Sequence, residues 1–169
     1  MQEVNIRAEE KGDLETVEDI IRSAFKDHPF SNHREHLLVA ELRRNNALSV
    51  SLVAEVNGKT VGHIAFSPVK IDGRFVSWYG LAPLSVVPEY QGIGIGTKLI
   101  INGLECIKNS AAKGCVLLGE PEYYARFGFK KNFDLTLPDV PADYFLVLPF
   151  NDETPSGIIE YDDAFHTNG

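Results

Sequence analysis

The chain has 169 residues, of which 44% are hydrophobic and 24% are charged. This length predicts one domain with a proper core, and the composition is ordinary for a soluble globular protein. The formal net charge of -8 argues against nucleic acid as a partner and mildly favours a cationic or amine substrate. No apolar run approaches the ~20 residues of a membrane span, and the first residues do not resemble a signal peptide. We therefore expect a cytoplasmic protein without a membrane partner.

Cysteine and histidine usage gives no sign of a disulfide framework or a metal site. The two cysteines, Cys106 and Cys115, match no metal-ligand spacing and are typical of inert buried thiols. His28, His33 and His36 are close in sequence, but no cysteine or carboxylate completes a metal site around them. We expect a reduced protein without a bound metal. The three histidines are expected to lie on a solvated helix face.

The first half of the chain predicts one strand, two helices and three further strands. The predicted elements are a strand over residues 2–8, a helix with Asp13 as its N-cap, a second helix over residues 31–44, and strands over residues 48–56, 59–71 and 74–87. Asn57-Gly58 and Asp72-Gly73 lie between the last three strands and are strong signals for two-residue hairpin turns. Strands joined by such turns are antiparallel neighbours.

The second half predicts a long helix, a short apolar strand and a short helix. Apolar residues recur at helical spacing between positions 99 and 107, and Gly114 supplies a C-cap. A strand, a crossover helix and another strand imply a parallel pair, formed here by residues 74–87 and 115–118. The other strand-like runs are residues 129–137 and 144–150, with a final edge at Ile158-Ile159. One compact α/β domain over residues 1–169 is the predicted architecture.

Pro83 lies inside the last strand of the antiparallel set. A proline cannot donate to a sheet ladder, so in an interior strand it marks a bulge or a place where pairing stops. A bulge there leaves the backbone groups of Leu84, Ser85 and Val86 without partners. We expect this edge to be open for a ligand; a bulge that serves only the curvature of the sheet is the alternative.

Three glycines, Gly92, Gly94 and Gly96, stand where the long helix begins. Residues without a Cβ let the backbone approach a ligand closely, and the N–H groups of a first helical turn favour an anion. A phosphate group at this turn is the first hypothesis. The spacing differs from the G-x-G-x-x-G of dinucleotide folds, and Gly96-Thr97-Lys98 is the wrong order for a nucleoside-triphosphate loop.

The same stretch resembles the acyl-CoA signature of the GNAT N-acetyltransferase superfamily. That signature is Q/R-x-x-G-x-G/A after a strand ending in Val-x-Pro, and it is matched by Gln91-Gly92-Ile93-Gly94-Ile95-Gly96. Val86-Val87-Pro88 leads into the motif in the usual way. The joint match from position 84 to position 96 is far more specific than the glycines alone.

The resemblance extends to a second stretch, Gly119-Glu120-Pro121-Glu122-Tyr123-Tyr124-Ala125-Arg126-Phe127-Gly128-Phe129. GNAT enzymes commonly close their CoA site with a short helix ending in Tyr-x-x-x-Gly-Phe, and Tyr124 to Phe129 fits that spacing. The full string resembles a subgroup of small bacterial predicted acetyltransferases, in which a G-[DE]-P turn replaces the more usual asparagine. The helix pattern of that subgroup is reproduced by Glu35, Leu38, Leu42 and Arg43.

The resemblance implies a mixed α/β fold with a mainly antiparallel sheet. One central parallel strand pair would be splayed around acyl-CoA, with helices on both faces. It also implies acetyl-CoA as co-substrate and direct transfer of the acetyl group to a primary amine of a small molecule, peptide or protein. The cofactor-binding residues that it implies are Leu84, Ser85, Val86, Gln91, Gly92, Ile93, Gly94, Ile95, Gly96, Thr97 and Tyr124.

Two catalytic roles are implied by the resemblance. The backbone N–H of Val86 would stabilise the tetrahedral oxyanion, and Tyr124 would protonate the departing CoA thiolate. A phenol with a pKa of ~10 stays protonated at neutral pH, which suits a proton donor. A core aromatic packed under the glycine turn is the alternative for Tyr124. Tyr123 is expected to pack rather than react.

The general base stays open between Glu120, His63, Glu35 and water. Glu120 ends the short parallel strand but could serve only as a partial helix cap, and a lone strand histidine such as His63 is more often structural. Two other functions also remain: a module that binds acyl-CoA without turnover, and an enzyme for another phosphate ligand. The sequence leaves the oligomeric state open between a monomer and a homodimer.

Overall fold

The computed structural model describes residues 3–28, 31 and 33–167. Its strands are β1 (Val4–Ala8), β2 (Val50–Val56), β3 (Lys59–Ile71), β4 (Arg74–Val86), β5 (Gly114–Leu118), β6 (Leu135–Thr136), β7 (Phe145–Pro149) and β8 (Gly157–Glu160). Its helices are α1 (Leu14–Phe25), α2 (Glu35–Arg44), α3 (Ile95–Asn109), α4 (Pro121–Tyr124) and α5 (Ala164–Thr167). Gln2 of the predicted first strand and residue 32 of the predicted second helix lie outside the described residues.

The sheet has the order β1-β2-β3-β4-β5-β7 along its main path. The hairpins β2–β3 and β3–β4 are antiparallel, as the sequence predicts. Both central residues of each turn have positive φ: 52° and 78° at Asn57 and Gly58, and 50° and 80° at Asp72 and Gly73. Turns of this kind match the twist of the flanking strands, which is why these dipeptides predict antiparallel neighbours reliably.

β4 and β5 run parallel at the centre of the sheet, with α3 as the crossover between them. Parallel strands need such a crossover because a tight hairpin can join only antiparallel strands. β7 then pairs antiparallel with the other edge of β5. The predicted mixed fold with a central parallel pair is therefore confirmed. In the described part of the chain, none of the helices has the length and apolar character to cross a bilayer.

The predicted strand over residues 129–137 is mostly absent. Only Leu135–Thr136 forms a strand, and Lys130 makes an isolated bridge to β7. A polar turn intervenes, because the side chain of Asn132 accepts a hydrogen bond from the N–H of Asp134 at 2.9 Å. Such side-chain bonds compete with a sheet ladder. The predicted final edge is confirmed as β8, which pairs with the end of β3 and, in parallel, with β6.

Helices cover both faces of the sheet because alternate residues of a strand point to opposite sides. On one face, Leu52 and Ala54 of β2 belong to the core that contains α3. On the other face, Val53 packs with Val17 of α1 and Val39 of α2. The sheet therefore separates the apolar cluster that contains α3 from the one that contains α1 and α2. A further cluster contains Trp78 of β4 and Phe145 of β7.

α3 lies very close to the sheet at Gly103. A Cβ built there would lie 2.3 Å from the ring of Phe66 in β3. Phe66 is fully buried, so its ring has little space in which to move. The glycine therefore sets the distance of α3, and of the turn at its start, from the sheet.

We expect Gly103→Ala to destabilise the protein, although alanine is the better helix residue. Its helix propensity gain of ~1 kcal/mol is outweighed by overpacking, which typically costs ~1–3 kcal/mol in a closed core. Gly96→Ala in the same helix is the matched control, because a Cβ there meets its nearest atom at 3.5 Å. The denaturant midpoint should fall for Gly103→Ala and hold or rise for Gly96→Ala. Equal midpoints would contradict the close packing.

An ion-pair network holds the start of α1 against the edge of the sheet. The guanidinium of Arg7 in β1 donates to both carboxylate oxygens of Asp13, at 2.7 and 3.0 Å, and to Glu55 of β2 at 2.9 Å. Asp13 stands at the predicted N-cap, but its side chain accepts from the N–H of Glu10 and makes no cap bond to α1. The hydrogen bond from Arg7 is the main reason that the pKa of Asp13 is lowered to about 2.

Asp13→Asn should lower the free energy of unfolding at neutral pH by roughly 1.5–3 kcal/mol, the usual contribution of hydrogen bonds to a charged group. Because the folded pKa is depressed, this stabilisation is complete above the unfolded pKa of ~3.9 and is lost as the pH falls towards about 2. The wild-type and variant stability curves should therefore converge in acid. Asp19→Asn, which breaks an exposed ion pair of α1, should change little. A difference that stays constant from neutral pH to acid would argue against the network.

Candidate active site

The parallel strands at the centre of the sheet are paired over a very short length. Residues 78–80 of β4 lie opposite residues 114–116 of β5, and no further pairs join the two strands. The register of β4 against β3 shifts close to Pro83, where the sequence predicts a bulge. Beyond residue 80 the two parallel strands are unpaired, and we call the space between them the cleft. The predicted open edge of β4 is confirmed.

The backbone of Leu84 and Val86 faces this cleft. The N–H of Val87 donates to a β3 carbonyl at 2.9 Å, so the backbone of Val87 is directed at β3. Backbone direction alternates along an antiparallel strand, which directs Ser85 at β3 and its two neighbours away from it. The side chain of Gln91 donates to the carbonyl of Val86 at 2.9 Å. The N–H of Val86 is therefore a donor on the cleft side, whereas Ser85 presents no backbone group there.

The glycine turn follows β4 and begins α3. Gly92 and Gly94 are left-handed, with φ of 80° and 92°, and α3 starts at Ile95 without a side-chain cap. The N–H groups of the first helical turn have no intrahelical partners and favour an anion. A Cβ built on Gly92 or Gly94 meets nothing within 4 Å, so the space above the turn is open. This turn can hold phosphate oxygens.

Tyr123 links α4 to the glycine turn. Its hydroxyl lies 3.2 Å from the hydroxyl of Thr97 in the first turn of α3. The guanidinium of Arg126 stacks on its ring at 4.5 Å. The sequence predicts only packing for Tyr123, so this contact is one that sequence reasoning misses. The spacing of Tyr123 and Arg126 pairs them on a short helix, but nothing in the sequence pairs either residue with Thr97.

Tyr124 packs against the end of β5, the other wall of the cleft. A Cβ on Gly119, the residue after β5, would lie 2.4 Å from its ring, so a glycine is needed for this approach. The ring also meets Phe129 edge-on, with ring centroids 5.9 Å apart. Burial, and then the charges of Tyr123 and Cys115, raises the pKa of Tyr124 to about 12. The phenol is therefore protonated at neutral pH and can donate a proton.

The two acidic candidates for the general base lie in different places. Glu120 is exposed at the N-cap of α4, and its side chain makes no capping hydrogen bond. Glu35 lies in the first turn of α2, where both of its carboxylate oxygens accept from the hydroxyl of Ser31, at 2.7 and 2.6 Å. The hydrogen bond to Ser31 orders the start of α2, so the contacts of Glu35 support its structural role.

His63 lies inside the sheet, on the strand next to β4. It is fully buried and stands directly opposite Ser85 in the β3–β4 pair. Its Nε2 lies 2.7 Å from the hydroxyl of Ser51 in β2. Burial, and then the nearby charge of Arg43, lowers the pKa of His63 to about 3. The imidazole is therefore neutral at physiological pH and is a weak base.

The three histidines around the start of α2 have separate surroundings. His28 packs against the ring of Phe25, and His33 is exposed. Burial, and then the charge of Arg22, lowers the pKa of His36. Among the residues that the structure describes, no three His, Cys, Asp or Glu side chains are grouped as metal ligands.

Known proteins are similar to this chain in sequence and in fold. Residues 47–131 match the family model of the acetyltransferase (GNAT) domain, and this range contains β4, the glycine turn, β5 and α4. Over 126 residues the chain is 35% identical to the uncharacterized N-acetyltransferase YhbS of Escherichia coli K12. These residues make up 74% of this chain and 72% of that protein. This chain belongs to the GNAT acetyltransferase family. It is an acetyl-CoA-dependent acyltransferase, as its motifs predict.

Two solved structures extend the similarity over almost the whole chain of this GNAT protein. A GNAT family acetyltransferase from Brucella melitensis, in complex with acetyl-CoA, is 43% identical with a TM-score of 0.87, covering 98% of this chain and 99% of that one. YhbS from Escherichia coli, in complex with CoA, is 31% identical with a TM-score of 0.90, covering 100% of this chain and 95% of that one. The similarity therefore includes the segments before and after the family match.

Proposed function

We propose that this GNAT protein transfers the acetyl group of acetyl-CoA directly to a primary amine of a small molecule, peptide or protein. The observation that carries the proposal is the open edge of β4 at Leu84 and Val86, next to an uncapped helix start. The two similar structures in complex with acetyl-CoA and with CoA support the same choice of co-substrate. The net charge of -8 favours an acceptor that carries a positive charge.

The co-substrate would lie along β4 and end at α3. Its pantetheine amides would pair with the outward backbone groups of Leu84 and Val86, as an added strand does. Its pyrophosphate would rest on the glycine turn. The turn residues assigned to this contact are Gln91, Gly92, Ile93, Gly94, Ile95, Gly96 and Thr97. Ser85 lies on the same strand, but its backbone is directed at β3. Its side chain points to the face opposite α3, because the side chain of its neighbour Leu84 faces Gly96 of α3.

The chemistry needs a donor for the oxyanion and a proton for the thiolate. The N–H of Val86 lies on the cleft side of β4 and would stabilise the oxyanion of the tetrahedral intermediate. The hydroxyl of Tyr124, protonated at neutral pH, would give its proton to the sulfur as the C–S bond breaks. The phenolate would regain a proton from solvent after CoA leaves.

An acceptor screen tests the proposal directly. Purified protein would be given acetyl-CoA with a panel of small amines and peptides, and the release of CoA thiol would be measured. Thermal shifts with CoA, acetyl-CoA, NAD and ATP would run in parallel. Stabilisation by acetyl-CoA with no thiol release from any amine would favour an acyl-CoA-binding module. Stabilisation by NAD or ATP alone would favour another phosphate ligand.

Gly94→Ala should weaken acetyl-CoA binding strongly. An alanine forced into the left-handed conformation costs about 1–2 kcal/mol, and its Cβ would occupy the space that the pyrophosphate needs. Gly58→Ala is the matched control, because Gly58 has φ of 78° and equally open surroundings in a hairpin turn. Both variants should lose similar stability, but only Gly94→Ala should lose the thermal shift with acetyl-CoA. Equal acetyl-CoA affinity in the two folded variants would show that the pyrophosphate does not bind at this turn.

Tyr124→Phe should lower turnover without weakening co-substrate binding. The substitution removes only the hydroxyl, so the turnover number should fall by ~10²–10⁴-fold, the usual contribution of general acid catalysis. The acetyl-CoA dissociation constant should stay nearly constant. Tyr144→Phe is the control, because Tyr144 has an exposed side chain elsewhere in the fold.

Acyl donors with different leaving thiols sharpen the Tyr124 experiment. The loss in Tyr124→Phe should shrink as the leaving thiol becomes more acidic, because a better leaving group needs less protonation. If the variant instead binds acetyl-CoA weakly and turns over normally, Tyr124 is a co-substrate contact. The proton donor would then have to be another group.

A further inference from the structure

Arg126, which follows α4, is held in place by two contacts to Tyr123. Its guanidinium stacks on the Tyr123 ring at 4.5 Å, and its Nε donates to the Tyr123 carbonyl at 2.8 Å. The hydroxyl at the end of the same ring lies 3.2 Å from the hydroxyl of Thr97 in the first turn of α3. One tyrosine side chain therefore connects a fixed positive charge to the helix start where the pyrophosphate is proposed to bind.

The remaining N–H groups of Arg126 are available to an anion. Within the described residues, the guanidinium has no ion pair and no hydrogen bond besides the one from Nε. The side chain is exposed, so a ligand can reach it from solvent. Stacking on an aromatic ring leaves the edge of a guanidinium free to donate. Arg126 is therefore ordered but not neutralised.

The hydroxyls of Tyr123 and Thr97 supply one further donor. One hydroxyl gives its proton to the other, so one O–H is left over whichever of the two donates. A Cβ built on Gly96 would lie 3.5 Å from the Tyr123 hydroxyl, which places this hydroxyl over the first turn of α3. That turn carries no acidic residue, and its N–H groups are donors as well. The side chains that meet here therefore suit an anion with several oxygens.

An acidic protein needs local positive charge to bind a phosphorylated co-substrate. The formal net charge of the chain is -8, and a phosphomonoester carries about -1.5 to -2 at neutral pH. Lys98 of the first α3 turn is exposed, and no aromatic ring in the described part of the chain holds its side chain. Arginine also binds phosphate through two parallel N–H bonds, whereas lysine acts as a point charge. Arg126 is therefore better suited than Lys98 to recognise a phosphate.

We propose that Arg126 binds a phosphate group of the acyl-CoA co-substrate, and that Tyr123 positions it. The Nη atoms of Arg126 donate to the phosphate oxygens, and the spare O–H of the Tyr123–Thr97 pair donates beside them. CoA offers two groups with this chemistry, the pyrophosphate and the 3′-phosphate. This inference rests on the proposed binding of the co-substrate at the glycine turn and makes Arg126 a determinant of co-substrate affinity.

The test measures dissociation constants of CoA by calorimetry, which needs no acceptor amine. Arg126→Gln should weaken CoA binding about tenfold or more, the usual size of a hydrogen bond to a charged group. Lys108→Gln is the matched control, because Lys108 is also a cation on an aromatic ring, 4.9 Å from Phe150. It lies in the last turn of α3, ~20 Å along the helix from its start. Lys108→Gln should bind CoA as tightly as the wild type does.

Two further measurements separate a phosphate contact from a structural role. The melting temperature of Arg126→Gln without ligand should equal that of the wild type, because the side chain is exposed. Arg126→Lys should recover part of the lost affinity, since it restores the charge without the planar fork. Dephospho-CoA lacks only the 3′-phosphate. A loss that persists with dephospho-CoA assigns Arg126 to the pyrophosphate, and a loss that disappears assigns it to the 3′-phosphate.

Variants of Tyr123 test its positioning role. Tyr123→Phe keeps the ring under Arg126 and should keep most of the CoA affinity, whereas Tyr123→Leu removes the ring and should lose nearly as much as Arg126→Gln. The double variant Tyr123→Leu/Arg126→Gln should lose no more than Arg126→Gln alone, because the ring acts through the guanidinium. Additive losses would show that Tyr123 acts independently of Arg126 and would overturn its positioning role.

Equal CoA affinity in the wild type and Arg126→Gln would overturn the inference, and so would equal losses in Arg126→Gln and Lys108→Gln. Gly94→Ala, measured in the same way, then decides whether the proposed site stands. If Gly94→Ala loses CoA affinity while Arg126→Gln does not, the phosphates bind at the glycine turn without Arg126. If neither variant changes the affinity, the proposed co-substrate site is itself wrong.

Discussion

The separation of two parallel strands is the constraint on which the rest of this structure depends. β4 and β5 share three residue pairs and then part, although they lie at the centre of an extended sheet. Backbone groups inside a sheet normally find partners, and unpaired ones cost free energy when buried. The outward groups of Leu84 and Val86 are tolerable because the parting opens them to a cleft. A ligand with amides of its own can then replace the missing strand.

The elements on either side of this cleft position the other candidate residues. On the α3 side, Gly103 brings the helix against Phe66, and the helix start with Gly94 follows β4. Tyr124 packs on Gly119 at the end of β5. The face that carries α1 and α2 contributes a different chemistry, a neutral buried imidazole at His63.

Local sequence signals predicted the architecture well because they depend on few neighbours. The Asn57-Gly58 turn needs only its own φ angles, and its hairpin follows from the turn. The same holds for the glycine motif, because α3 begins at Ile95, among the glycines where the sequence predicts a helix start. The predicted strand at residues 129–137 is wrong over most of its length because a single side chain, Asn132, bonds the backbone two residues on.

The sequence by itself determined most of the strands, the open edge at Pro83 and the glycine turn, since proline, glycine and apolar periodicity act over a few residues. Only the tertiary structure decided which distant side chains meet. Tyr123 reaches Thr97 because α4 and α3 converge over the sheet, and His63 faces Ser85 because the bulge fixes the register of β3 against β4. A shift of one residue in the pairing of β3 with β4 would turn His63 to the opposite face from Ser85. Contacts of this kind are set by register and packing, which no local pattern encodes.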